Sequence, residues 1–192
     1  MNRMMRLLMV VLTLWSGTAL AEDKLSLDDL GFTPAQTQAD DKLQALLHRR
    51  SAMLKTHQKL GLATLIPLAA TLVLAGKTEN GSQADRDRHM IAGMTTGALY
   101  FTAASFALFA PEPPGETPSR GATKIHKLLA CVHFPAMILA PIAGYQAKKQ
   151  RDRGETELHG LAKQHQLFAG AAAGAFGAAM LVVTVNFGGK KK

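Results

Sequence analysis

The 192-residue chain contains a single cysteine, Cys131, and this scarcity excludes several classes of protein. An internal disulfide needs two cysteines, and zinc or iron–sulfur sites built from several thiolates need more than one. Cys131 lies inside a long apolar stretch. We therefore expect it to be a buried packing residue and not a ligand.

Charge is also scarce, since only 19% of the residues are Asp, Glu, Lys or Arg. Four long stretches contain none of these residues, and they hold 17, 23, 20 and 26 residues: Leu60–Gly76, His89–Pro111, Leu128–Ala147 and Gln164–Gly189. About 20 apolar residues cross a bilayer core as a helix. The pattern excludes disorder and an ordinary soluble enzyme. It predicts an all-α membrane protein, an antiparallel bundle of four transmembrane helices in contact with lipid.

The first 21 residues have the three parts of a secretory signal peptide. Arg3 and Arg6 precede the apolar run Leu7–Trp15, and Ala19-Leu20-Ala21 is a small-x-small cleavage site. An uncleaved anchor is the alternative. In either case the residues after Ala21 are placed outside the cytoplasm, which predicts a multi-pass protein of a bacterial-type inner membrane with an extracytoplasmic N-terminus.

The remaining chain divides into three predicted parts. Residues 22–55 form an extracytoplasmic loop and an amphipathic helix, residues 56–189 form the four-helix domain, and residues 190–192 form a basic tail. The amphipathic helix is indicated by leucines that share one helical face, at Leu43, Leu46, Leu47 and Leu54.

The formal net charge of +8 favours lipid headgroups over nucleic acid as the anionic partner, because the basic residues flank apolar runs. We therefore expect no nucleic-acid partner. The signal peptide places residues 77–88 and 148–163 in the cytoplasm. Basic residues are about equally frequent on the two sides, so the orientation depends on the signal peptide.

Four of the seven histidines lie at the N-terminal edge of a predicted span, one in each span. A small residue follows each histidine four positions later, in the pairs His57/Gly61, His89/Gly93, His126/Ala130 and His165/Ala169. Residues at i and i+4 share a helical face. A histidine with a small residue one turn deeper leaves room for a flat macrocycle against the helix.

The predicted topology sorts these histidines into two pairs of equal depth. The first and third spans begin outside, which brings His57 and His126 to the outer edge. The second and fourth spans begin inside, which brings His89 and His165 to the inner edge. Two facing histidines can supply both axial nitrogens to a haem iron. The sequence therefore predicts two haems, and they are noncovalent b-type haems because C-x-x-C-H is absent.

Other assignments stay open at this point. Histidines near helix ends are common interfacial residues, and small residues at i+4 also serve close helix packing. His133 follows His126 on the same face and ranks second to it as the outer ligand; it could also bond a haem propionate or be a satisfied core histidine. His159 is the alternative inner ligand, six residues before His165.

Residues 50–188 resemble the cytochrome b561 family. The run H-K-L-L at 126–129, followed by Gln146 and a basic loop, carries most of the likeness. The resemblance implies a four-helix bundle with two b-type haems, in which the first helix pairs with the third and the second with the fourth. The matching positions are His57, His89, His126 and His165 or His159. The family's ascorbate-binding basic and aromatic motifs have no match, and many relatives have five or six helices.

The predicted function is transmembrane electron transfer by an electron carrier or oxidoreductase, with a quinol or a periplasmic redox carrier as partner. Two alternatives come from other classes. A histidine-lined metal or proton transporter would need carboxylates or clustered ligands in the membrane, and none of the four runs contains Asp or Glu. A structural subunit of a respiratory complex would use the Gly/Ala face of the fourth span for docking.

Overall fold

The computed structural model describes residues 41–78, 81–115 and 119–186. The predicted signal peptide, the loop up to residue 40 and the basic tail lie outside these residues. Four long helices are present, α1 (Asp41–Ala75), α2 (Gln83–Leu108), α3 (Gly121–Asp152) and α4 (His165–Asn186). All four are long and apolar enough to cross a membrane. The prediction of an all-α four-helix membrane bundle is confirmed, and the chain is a multi-pass membrane protein in contact with lipid.

The helices do not coincide with the uncharged runs. α1 begins at Asp41 and α3 continues to Asp152, so both helices extend past the apolar runs into charged sequence. α2 ends at Leu108, before the end of its run at Pro111. Charged residues are good helix formers, so the backbone stays helical where the chain leaves the hydrocarbon. The absence of charge marks the membrane segment, and caps and turns mark the helix ends.

Local signals explain two helix starts. Ser82 caps α2, where its Oγ accepts from the backbone N–H of Asp85, and the Asp85 carboxylate accepts from the backbone N–H of Ser82. A short 3₁₀ helix, Gly160–Gln164, leads into α4. Gly160 adopts a φ of +59°, a left-handed conformation that suits glycine, and it turns the chain into this segment.

The core is narrow and consists mainly of alanine with a few large side chains. α3 and α4 pack most closely, and α2 packs on α3. The buried cluster comprises Tyr100, Ala136, Met137, Ala172 and Phe176. Small residues let helix backbones approach in a membrane. Large apolar side chains on the outside remain exposed, including Ile66 at 66% and Leu181 at 66%, which is the surface that lipid tails cover.

Polar contacts join the helices at both ends of the bundle. At one end, Arg50 on α1 donates to the Pro111 carbonyl oxygen at 2.8 Å. At the other end, Arg86 on α2 pairs with Asp152 on α3 at 3.1 Å, and Lys148 bridges Asp152 and Asp87. The start of α2 and the end of α3 therefore lie at the same end, as an antiparallel bundle requires.

Candidate functional site

The structure brings four histidines together as two pairs. The ring centroids of His57 and His126 lie 6.0 Å apart, and those of His89 and His165 also lie 6.0 Å apart. The rings within each pair are nearly perpendicular, at 77° and 79°. Each pair joins non-consecutive helices, α1 with α3 and α2 with α4. The pairs are those that the sequence prediction formed from equal depth.

The separation within each pair fits a metal held between two imidazoles. Metal–imidazole nitrogen bonds are about 2 Å long, which places the two ring centroids about 6 Å apart when both nitrogens face the metal. Among the described residues, no group of three or more His, Cys, Asp or Glu side chains forms a metal site. The arrangement is therefore one of two-ligand sites, the donor set that a haem iron needs from the protein.

Three of the four histidines use Nδ1 to bond a backbone carbonyl of a neighbouring helix. His57 Nδ1 lies 2.9 Å from the Ala103 oxygen, His89 Nδ1 lies 3.0 Å from the Thr71 oxygen, and His165 Nδ1 lies 2.9 Å from the Ala140 oxygen. A carbonyl oxygen only accepts, so Nδ1 carries the hydrogen and Nε2 keeps its lone pair. This tautomer is the one that leaves Nε2 available to a metal.

The fourth histidine departs from this pattern. His126 Nδ1 is buried next to the Ala179 carbonyl but makes no regular hydrogen bond. The pattern of the other three bonds nevertheless predicts the Ala179 carbonyl as the acceptor for His126. Each acceptor carbonyl lies 14 residues after a histidine on its own helix: Thr71 after His57, Ala103 after His89, Ala140 after His126 and Ala179 after His165. Fourteen residues span about 21 Å of helix, which sets the axial distance between the two pairs.

The same register continues along the inner face of every helix. Seven residues after each histidine lie the buried side chains Thr64, Thr96, His133 and Ala172. Eleven residues after each histidine lie Leu68, Tyr100, Met137 and Phe176, which form or contact the apolar cluster. Positions at i, i+4, i+7, i+11 and i+14 share one face of a helix. The four helices therefore repeat one inward-facing pattern, with a histidine at one end and an acceptor carbonyl at the other.

His133 occupies the bundle interior and has a partner that the sequence did not suggest. It is 5% exposed, and its Nδ1 lies 2.7 Å from the hydroxyl oxygen of Tyr100. Its ring centroid lies 6.4 Å from that of His126 and 5.6 Å from that of Phe176. The structure thus places His133 beside the His57/His126 pair, as a third imidazole that packs against His126.

His159 lies apart from both pairs. Its side chain is exposed, and it precedes the 3₁₀ helix. Its backbone N–H donates to Gln150 Oε1 at 2.9 Å, and its carbonyl accepts from Gln150 Nε2 at 3.2 Å. Gln150 therefore holds this segment at the end of α3, and His165 is the histidine that faces His89.

Glycines shape the surroundings of the pairs. A Cβ added at Gly61 would lie 3.7 Å from Met180 Sδ, and one at Gly93 would lie 3.7 Å from a methyl group of Thr71, both ordinary contacts. An added Cβ would meet nothing within 4 Å at Gly97, Gly170, Gly174 or Gly177. Helix surfaces without side chains give a flat ligand access to the backbone, which fits the macrocycle that the sequence predicts.

Sequence reasoning missed Gly144, which lies on α3 opposite the ring of His165. A Cβ at this position would lie 2.8 Å from His165 Cε1 and 3.0 Å from Nδ1. Real Cβ atoms essentially never approach another heavy atom as closely as 2.8 Å, so a side chain at this position would displace the ring. Spacing within one helix gave no signal for this residue, because the close approach is between α3 and α4.

The expected burial of Cys131 is wrong, because the side chain is exposed on the outer surface of the bundle. Cys131 is five residues after His126, which turns it away from the inward-facing positions. At the helix edges, Thr56 donates to the Ala52 carbonyl of its own helix, and Gln58, Lys127 and Gln164 are exposed.

No protein-family model, curated protein or solved structure matches this chain. The geometry of the two pairs is therefore the basis on which a function can be assigned.

Proposed function

We propose that the protein transfers electrons across a membrane through two bis-histidine b-type haems, one near each membrane face. The observation that carries the proposal is the pair of matched imidazole contacts, His57 with His126 and His89 with His165, each at 6.0 Å. Histidines in membrane helices are rare and are usually functional. Two pairs with one separation, on helices that share one register, are difficult to explain by interfacial polarity.

The chain's contribution is to present Nε2 atoms in fixed directions. The Nδ1 bonds to Ala103, Thr71 and Ala140 hold three rings in orientation and increase the electron donation of the imidazoles. When bound, a haem supplies one-electron exchange between its ferrous and ferric states. Ligation by both histidines of a pair leaves no open position at the iron for oxygen chemistry.

The two pairs lie about 21 Å apart along the helices, so one is near each end of the spans. We propose that the His57/His126 pair faces the extracytoplasmic side of a bacterial-type inner membrane, because the signal peptide places the start of α1 there. A quinol or a periplasmic redox carrier would then exchange electrons at this outer pair. The resemblance to the cytochrome b561 family implies the two-haem arrangement, in which the first helix pairs with the third and the second with the fourth.

The competing functions have less support among the described residues. A transporter for metal ions or protons needs ionisable ligands along the path, and no cluster of three such side chains is present in the described part of the chain. A purely structural role does not explain why three histidines each donate from Nδ1 to a backbone carbonyl of a neighbouring helix. Both alternatives predict a colourless protein.

The test is a visible spectrum and a pyridine haemochrome assay of the purified full-length protein. We expect about two haems b per chain and the spectrum of six-coordinate low-spin iron, because each iron has two imidazole ligands. A folded protein that carries no haem after expression with haem supplied would contradict the proposal. A ratio of one haem per chain would mean that only one of the two histidine pairs binds haem.

A further inference from the structure

Two buried nitrogen atoms beside the outer pair have no hydrogen-bond partner, and they belong to neighbouring rings. They are His126 Nδ1 and His133 Nε2, the two buried side-chain N or O atoms of the described residues in this condition. Leaving a buried donor or acceptor unpaired destabilises the folded protein, so each such atom needs an explanation. The ring centroids are 6.4 Å apart, which makes a shared explanation possible.

The hydrogen atoms on both rings can be assigned. Tyr100 is 3% exposed, and its hydroxyl lies 2.7 Å from His133 Nδ1. We assign the O–H as the donor, because a buried hydroxyl hydrogen needs an acceptor and His133 Nδ1 lies within hydrogen-bond distance; His133 then carries its own hydrogen on Nε2. His126, if Nε2 is its metal-binding atom, carries its hydrogen on Nδ1. Both unpartnered atoms are then donors, and what they require is an acceptor.

We propose that His126 and His133 bind one internal water molecule, which makes His133 a positioning residue for the outer axial ligand; the inference rests on the proposed function. The water accepts from His126 Nδ1–H and from His133 Nε2–H, and it donates to the Ala179 carbonyl. Two hydrogen bonds of about 2.9 Å each can join nitrogens up to about 5.8 Å apart, and rings whose centroids are 6.4 Å apart can present nitrogens within this reach. Three polar partners are typical of a buried water.

This arrangement would distinguish the outer pair from the inner one. His57, His89 and His165 donate directly to a carbonyl, whereas His126 would reach its carbonyl through the water. A series of hydrogen bonds from the Tyr100 hydroxyl through His133 and the water to His126 would set how strongly the His126 imidazole donates electrons to the iron. The acceptor at Nδ1 stabilises ferric iron, so its loss raises the reduction potential.

The experiment is a spectroelectrochemical titration of the full-length protein with both haems bound. The outer component is identified as the one that is missing in His57→Ala. In His133→Leu we expect the outer haem to remain bound and its reduction equilibrium to shift about tenfold toward ferrous iron, which is 59 mV for one electron, with the inner haem unchanged. His133→Gln, which can again offer an N–H, should restore most of the original potential.

Phe176→Leu is the matched control, because Phe176 packs on both Tyr100 and His133 and has no polar atom. The Phe176→Leu variant should show an unchanged reduction potential of the outer haem. An unchanged outer potential in His133→Leu, or an equal shift of both haems, would overturn the proposal and favour a direct bond from His126 to Ala179.

A high-resolution map of the wild-type protein provides a second test that needs no variant. Density between the two rings supports the water site, and its absence overturns it. A protein without haem would contradict the proposed function, while the map would still decide on the water.

Discussion

Gly144 and His165 face each other across the α3–α4 contact, and the absence of a side chain at Gly144 gives the imidazole its place. A Cβ at Gly144 would lie within 3.4 Å of three ring atoms of His165. His165 in turn donates to Ala140, one turn before Gly144 on α3. The backbone of α3 therefore both orients this ring and makes room for it.

We expect Gly144→Ala to displace the His165 ring and to weaken the inner haem site. The overlap with ring atoms forces a rotation that breaks the bond to Ala140 and turns Nε2 away from His89. Changes to groups that orient a ligand usually cost 10- to 100-fold in metal affinity. Haem content and the two spectral components are the measurements. Gly76→Ala is the control, since its Cβ would make only an ordinary contact with the Val73 carbonyl oxygen, at 3.8 Å, and it should retain both haems.

Replacing ligands one at a time tests the pairing. His57→Ala and His126→Ala should each remove the same spectral component, and His89→Ala should remove the other. The reason is that each iron would depend on two imidazoles 6.0 Å apart, and one of them alone holds it weakly. Loss of one common component in His57→Ala and His89→Ala would show that the pairs are wrongly assigned.

His165→Ala and His159→Ala separate the two candidates for the inner ligand. We expect His165→Ala to lose the inner haem and His159→Ala to keep both, because the His165 ring faces His89 whereas His159 is exposed outside α4. The His159 backbone bonds to Gln150 do not depend on its side chain. The reverse outcome would require the inner haem to lie among the headgroups.

Haem removal should lower the thermal stability of the bundle. A ligand that binds only the folded state, at 100 times its Kd, stabilises it by about 2.7 kcal/mol per site. Protein produced under haem limitation should therefore unfold at a lower temperature by circular dichroism in detergent. Adding haem to that protein should restore the higher temperature. Equal melting temperatures with and without haem would indicate that the pairs do not bind it in the folded state.

The sequence predicted the fold because the absence of charge over four long runs is a strong signal for membrane helices. It could not predict where the helices end, since α1 and α3 continue through charged residues that favour helix as much as apolar ones do. Depth relative to the charged flanks was sufficient to group His57 with His126 and His89 with His165. That grouping depended on topology, and it needed no side-chain detail.

The partners of the histidine rings could not be predicted in the same way. Every residue has a carbonyl, so nothing in the residue types marks Ala103, Thr71 or Ala140 as acceptors. Tyr100 and His133 lie 33 positions apart, and their contact depends on how α2 and α3 pack. Gly144 likewise matters through its neighbour on α4. Contacts between helices decide these details, and spacing within one helix does not report them.

The reciprocal bonds divide the molecule into two halves with different attachments. His57 donates from α1 to α2, and His89 donates back from α2 to α1, while His165 donates from α4 to α3. These bonds fasten each helical hairpin to itself. The two imidazole pairs, in contrast, run between the hairpins. A chain cut between α2 and α3 and produced as two fragments should therefore reassemble to a greater extent when haem is supplied, because each haem would be held by one histidine from each fragment.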